Sequence, residues 1–308
     1  LMLVTIYYTL SQILNMLFLL LSILISTLFG ISFKIISIRN INAFQAIIIN
    51  YIIAGSLGFL TTKSDVTPAN VFSQPFFLIA VFLGIVFISS LFVIAETTAK
   101  QGISVAQVAN RMSVVVPISI AILFYGDGVS VSKIIGIILA IVAVYLVSHK
   151  ETEGKQEDKL WWLFPLIIFA CSGIIDSSIN YAQRHLLNDL NFDAFLSTIF
   201  STAFIFGFMV LLYQLIIKKE KFQLQAIPAG IILGTINFGT MYFIISALNT
   251  NVMEPSVLFP INNLSILTLS TIVSVIVFKE KLSSKNWLGI GLSLLAILIL
   301  GLLPQLMK

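Results

Sequence analysis

The sequence predicts an all-α membrane protein of about ten transmembrane helices, arranged as two inverted five-helix repeats. Three observations predict it. The composition cannot clothe a soluble surface, the apolar runs have spanning length, and polar and glycine positions recur at a shift of about 150 residues.

Of the 308 residues, 58% are hydrophobic and 10% charged, and the mean hydropathy is +1.06. Soluble domains carry roughly 25% charged residues. Lipid is the alternative solvent, in which about 20 apolar residues in a helix cross a core of about 30 Å. The runs are continuous and lack period-two alternation, which argues against a β-barrel. The formal charge of +4 lies dispersed in loops, so no nucleic-acid partner is expected. Cys171 falls inside a span, and as the single cysteine it forms no intrachain disulfide.

Ten spans are expected at roughly 13–33, 41–62, 76–97, 103–125, 132–149, 161–183, 193–217, 226–248, 253–278 and 285–303. Residues 1–33 are apolar but lack a basic n-region and a small-residue cleavage site, which argues against a removed signal peptide. That run exceeds one span, so residues 1–12 are set apart as an N-terminal stretch. Polar breaks fix the other limits, among them Lys34 to Asn42, Lys100 to Gly102 and Lys279 to Lys285. The charged stretch HKETEGKQEDK falls near the middle of the chain. It divides a first repeat, 13–149, from a second, 161–308, with 150–160 as linker.

Basic residues sort by side. Lys34, Arg39, Lys100, Lys150, Lys155, Lys159, Lys218, Lys219, Lys221, Lys279, Lys281 and Lys285 lie in alternate breaks. Lys63, Lys133, Arg184 and Lys308 lie on the other face. The positive-inside rule then puts both termini outside and the linker in the cytoplasm of a bacterial cell. Trp161, Trp162 and Trp287 start helices on the cytoplasmic face, where indole rings anchor at the interface.

The halves answer one another in order. INAF (41–44) matches FDAF (192–195), and Leu83-Gly84 matches Leu233-Gly234. NRMS (110–113) matches NNLS (262–265), and the turn at 125–140 matches 278–293. Five spans is an odd number, so the second copy enters the membrane from the opposite side. Inverted repeats of this kind underlie alternating access in secondary transporters.

The stretch FKEKLSSKNWLGIGLSLLAILIL (278–300), with the five-plus-five layout, resembles the EamA-type transporters of the drug/metabolite transporter superfamily. The resemblance covers essentially residues 16–303. Its motif is an acid–base–Leu–Ser turn before a glycine-bearing last helix: Glu280, Lys281, Leu282, Ser283 and Gly289. The first copy keeps an acid, Asp127, but not the base beside it, which argues against a substrate site in the turn. The resemblance implies export or exchange of a small metabolite or drug-like solute, with lipid as the other partner. It does not specify the solute or the oligomeric state.

An ionisable group at the bilayer centre costs about 2.5–3.5 kcal/mol on insertion scales. Polar residues in spans therefore need partners or a cavity. Span 4 carries Asn110, Arg111 and Ser113 ahead of Pro117, and span 9 carries Asn262, Asn263 and Ser265 after Pro260. Each proline leaves a carbonyl four residues back unbonded, those of Ser113 and Ser256. Helices broken at matching places in two halves point to a central binding site. Arg111 reads either as a fork for a solute carboxylate or phosphate, or as the fixed partner of Glu96. Glu96 could instead pair with Lys100 one turn on.

Asp176 in span 6 is the acid most clearly inside a span. It reads as a proton-coupling site or as a hydrogen-bonded structural carboxylate, with Glu96 the second coupling candidate. Glu254 reads as a helix cap. Asn50, Asn237 and Tyr242 could line the same cavity or bond between helices. Small residues spaced by four (Ser22, Ser26 and Gly30; Gly230 and Gly234) favour close helix contacts.

The leading expectation is a secondary transporter of a small organic solute, possessing no cofactor or metal site. A channel or lipid scramblase is the alternative. An intramembrane enzyme ranks lower, because His149 and His185 lie at helix ends and neither HExxH nor an acidic metal motif is present.

Overall fold

The computed structural model describes the backbone of residues 2–61, 66, 70–124, 128–148, 162–187, 191–249 and 255–302. The central linker, Trp161, Glu254, Asp127 and the side chain of Ser256 lie outside the described residues.

The described chain is helical. The helices are α1 (Met2–Ile38), α2 (Ala43–Thr61), α3 (Phe77–Lys100), α4 (Ile103–Met112), α5 (Val115–Phe124), α6 (Val131–Ser148), α7 (Leu163–His185), α8 (Phe192–Ile216), α9 (Ala226–Asn249), α10 (Pro255–Ile276) and α11 (Ser284–Ile297). A π-helical turn, Leu298–Leu302, extends α11. Ten stretches are long and apolar enough to cross a membrane among the described residues, with α4 and α5 sharing one. The protein is an integral multi-pass membrane protein. Leu20, Leu24 and Leu28 on α1, Ile134 and Ile138 on α6, and Leu288 and Leu295 on α11 are exposed. Lipid tails cover such a surface without cost, which is why the outer faces need no polar residues.

Two expectations change. The helix of the first span runs from Met2 to Ile38, so residues 2–12 continue it and Lys34 lies within its last turns rather than in a loop. The π turn ends the last span near its expected limit, but π-helical turns are rare and appear mainly as local bulges.

Among the described residues the most extensive helix contact is that of α2 with α9, and α2 also lies against α8. Gly230 and Gly234 of α9 permit it. A Cβ on Gly234 would stand 2.7 Å from the carbonyl oxygen of Asn50, and one on Gly230 would stand 2.7 Å from that of Ala46. The helices therefore touch backbone to backbone, as small residues allow in membranes. Aromatic edges fill the rest, with Phe76 on Phe195 at 5.6 Å and Phe87 on Phe200 at 6.0 Å. α3 packs on α7 and α8, and α1 packs on α9 and α10.

α6 and α11 pack mainly on each other, to one side. Ser283 caps α11 through a reciprocal box with Asn286. Asn286 also donates to the carbonyl of Val147 at 3.1 Å, which ties the start of α11 to the end of α6. A Cβ on Gly289 would stand 3.0 Å from the carbonyl of Ala143, so this glycine sets the distance between the two helices.

Candidate functional site

A cavity of about 1270 Å³ lies between α1, α2, α3, α4, α5, α7, α8, α9 and α10. Neither α6 nor α11 contributes to its lining. Apolar side chains make up much of its wall, and the polar residues among them point inward because their helices turn apolar faces to lipid.

The break in span 4 positions the first wall. Pro117 has no N–H, so the carbonyl of Ser113 cannot receive the usual helical bond. It accepts instead from Val116 at 2.9 Å, a tighter turn that ends α4 at Met112 and restarts the helix at Val115. Gln107, Asn110 and Arg111 stand on the cavity side of α4 just before that break. Ser113 is buried at the break itself. Its hydroxyl donates to the carbonyl of Asn110 at 2.6 Å and lies 3.3 Å from the Asp176 carboxylate.

Arg111 Nη1 donates to Asn263 Oδ1 at 3.0 Å, joining α4 to α10 across the cavity. Two serine–asparagine bonds flank this link. Ser172 donates to Asn110 Oδ1 at 2.7 Å, and Ser22 donates to Asn262 Oδ1 at 3.1 Å. The amides of Asn50 and Asn237 meet at 3.1 Å. Among the described residues three polar atoms of the lining are buried without a protein partner: the Tyr51 hydroxyl, Gln107 Oε1 and Arg111 Nε. A buried polar atom left unsatisfied costs about 1–3 kcal/mol, which makes each a candidate contact for a ligand.

At one end the cavity extends to Leu187, Phe192 and Asp193 beside the α7–α8 turn and to Leu248 at the end of α9. The other end is tied by Glu280. Its carboxylate pairs with Lys34 at 2.6 Å and accepts from the amide of Ile103, at the start of α4, at 3.0 Å. It also accepts from the hydroxyl of Ser274. Local backbone sets this up. Lys279 adopts a left-handed conformation, φ 52°, which folds Glu280 back over the end of α10. Gly102 has φ +109°, and a Cβ there would stand 2.9 Å from the Glu280 carboxylate carbon. Only glycine meets both demands at that position.

The expected site residues divide. Asn110, Arg111, Asp176, Asn237, Asn262 and Asn263 line the cavity, and Ser113 stands behind Asp176. Ser265 is partly buried and lies outside the lining. Tyr242 is 48% exposed, stacked on Phe238 and turned off the cavity that Thr240 and Met241 line. Its place on the far side of α9 follows from helical rotation of about 100° per residue. Glu96 is not the partner of Arg111. It pairs with Lys100 at 2.7 Å and borders a separate crevice of about 650 Å³ with Phe44 and Gln214.

The matched break is also corrected. Among the described residues α10 runs unbroken through Pro260, which stands inside the helix. Residues the sequence reading missed are Gln107, Tyr51 and the Lys34–Glu280 pair. Gln107 stands one turn before Arg111 and was findable as a polar residue in a span. The pairing of Lys34 with Glu280 joins opposite ends of the sequence and leaves no local pattern.

Comparison with known proteins agrees with this architecture. The sequence pattern of the EamA-like transporter family matches residues 162–302. An uncharacterized protein of Haemophilus influenzae is 30% identical over 292 residues, spanning 92% of this chain and 97% of that protein. A solved crystal structure of a protein shares the fold at a TM-score of 0.57 and 13% identity, covering 96% of this chain and 98% of that one. With ten membrane-spanning stretches around a cavity in which polar side chains converge, the chain belongs to the EamA-like transporter family of the drug/metabolite transporter superfamily.

Proposed function

We propose that the protein is a secondary transporter that exports or exchanges a small organic solute by alternating access, coupled to protons through Asp176. The observation that carries this reading is the cavity itself: polar groups from several helices converge in it, it extends to the α7–α8 end of the bundle, and Glu280 ties the other end. A carrier in one of its two end states has this form.

An inverted relation of the halves, 13–149 and 161–308, is part of the proposal. It is supported by the hydrogen bonds, since Ser22 with Asn262 and Ser172 with Asn110 are counterparts at the shift of about 150 residues. Packing partners exchange likewise: α2 packs on α9 as α8 packs on α3, and α1 on α9 as α7 on α3. Two near-equivalent arrangements of such copies give states open to opposite sides.

With both termini outside, the Glu280 face is cytoplasmic and the cavity extends toward the far side of a bacterial cytoplasmic membrane. To turn inward, the protein must separate Glu280 from Lys34 and from the start of α4. Solute then enters beside Arg111 and Asn263 and leaves outward after the tie re-forms. Asp176 faces the same space and exchanges its proton with it, which links the return step to the proton gradient. The protein carries out no covalent chemistry on the solute.

Counterflow of labelled solute in proteoliposomes tests the reading. Saturable counterflow is the expected result. Non-saturating flux marks a channel, lipid flip-flop without solute movement marks a scramblase, and conversion of the solute marks an enzyme. Each of these outcomes overturns the carrier.

A further inference from the structure

We propose that the solute is a small organic anion with a hydrogen-bond donor close to its oxyanion and an apolar remainder. This rests on the transport reading above and narrows it to a substrate class.

Arg111 is the one cation among the described residues lining the cavity. Its guanidinium is only partly used. One nitrogen holds Asn263, while Nε is buried with no partner. Asp176 lines the same space, but no ion pair joins it to Arg111 among the described residues, and its carboxylate takes the Ser113 hydroxyl instead. Asp176 lends an opposite charge nearby but no direct contact, and holding a cation out of water without an ion-pair partner in contact costs several kcal/mol. A carboxylate or phosphate on the solute supplies the missing partner, and the planar guanidinium suits either.

The second requirement comes from Gln107. It lies one turn from Arg111 on the same face of α4, about 6 Å along the axis. Gln107 is 6% exposed, and its side-chain oxygen has no donor. A hydroxyl or amine within a few bonds of the oxyanion satisfies it. A Cβ on Gly30 of α1 would stand 2.6 Å from Gln107 Nε2, so glycine there leaves room for the side chain. The apolar remainder then lies along Phe29, Phe87 and Ile94, which line the same cavity.

The test is a binding panel on the purified full chain, read by thermal stabilisation. The probes are phenyllactate, phenylpropionate, phenyl phosphate, phenyllactamide and phenethylamine, which share a ring and differ in charge and donor. Phenyllactate is expected to stabilise the protein more than phenyllactamide or phenethylamine do. Comparison with phenyl phosphate decides between carboxylate and phosphate. Arg111→Gln is expected to weaken phenyllactate binding about tenfold or more, the size of a lost charge-assisted bond. Arg111→Lys is expected to retain part of it, and Gln107→Leu to erase the preference for phenyllactate over phenylpropionate. Unfolding of each variant without ligand shows that it is folded.

Equal stabilisation by the amide or the amine overturns the proposal, as does no shift from either anion or unchanged binding in Arg111→Gln. The transport reading fails separately. Anion binding without saturable counterflow sinks transport and leaves the anion site standing. Saturable counterflow of neutral or cationic solutes alone does the reverse.

Discussion

Spans 4 and 9 hold matching places in the two halves and use the same ingredients differently. Both bring an asparagine pair or its equivalent to the cavity, both carry a proline, and both accept a serine hydroxyl from a neighbouring helix. Span 4 is broken at Ser113 and carries Arg111, whereas α10 is unbroken and carries Asn263 at the matching place. The same bias extends to their neighbours. Asp176 on α7 is matched on α1 by Ser26, also on the lining. Charge is thus concentrated at α4 and α7, while α10 and α1 present a neutral image. A repeat can keep a symmetric frame for switching while only one side of it reads the solute.

The largest effect should come from removing the charge that distinguishes the two spans. Arg111→Gln is expected to lower counterflow about tenfold or more, and Asn263→Ala only about threefold, since charge-assisted bonds exceed neutral ones. Equal losses would erase the distinction. Asp176→Asn against Ser26→Ala tests the second contrast. The first should abolish uptake driven by a proton gradient while leaving counterflow, and the second should alter neither by more than about twofold, the scale of a weak neutral bond. Proton-driven uptake that survives in Asp176→Asn removes the coupling assignment.

Glu280→Gln acts on the closed face rather than on either span. Loss of its Lys34 pair should raise labelling of a Ser90→Cys reporter from the Glu280 face roughly fivefold, the order of one weakened charged hydrogen bond. Unchanged labelling would mean that other contacts hold this face. The prolines give the smallest effect. Pro260 packs its ring where Gly301 leaves space, so Pro260→Ala should lower stability by about 1 kcal/mol through the gap it opens. Pro117→Ala should reduce transport with less change in stability, measured by thermal unfolding beside counterflow, because it lets α4 continue into α5.

How far the site was legible in the sequence depended on distance along the chain. Asn110, Arg111, Asn262, Asn263 and Asp176 stood out because a polar residue in an apolar span is conspicuous. Their inward orientation followed, since the outer faces must be apolar. Tyr242 misled because an aromatic residue with a hydroxyl is equally at home against neighbouring rings, and the sequence does not say which way a largely apolar helix is turned. For Glu96 the sequence left two partners open, Arg111 and Lys100, and the structure takes the nearer base one turn away. Pro260 was expected to break its helix, but the described helix continues through it, and the sequence does not say whether a proline bends a helix or breaks it.

The sequence by itself determined the class, the spans and the residues that had to be sheltered from lipid. Those follow from transfer free energies that act residue by residue. Only the tertiary structure decided which face was closed, because that rests on Glu280 meeting Lys34 and the start of α4 across most of the chain. It alone decided that Arg111 would reach Asn263 and leave Nε unpartnered. Pairings of that kind depend on how helices rotate and approach, which glycines such as Gly102, Gly230 and Gly234 permit but do not specify.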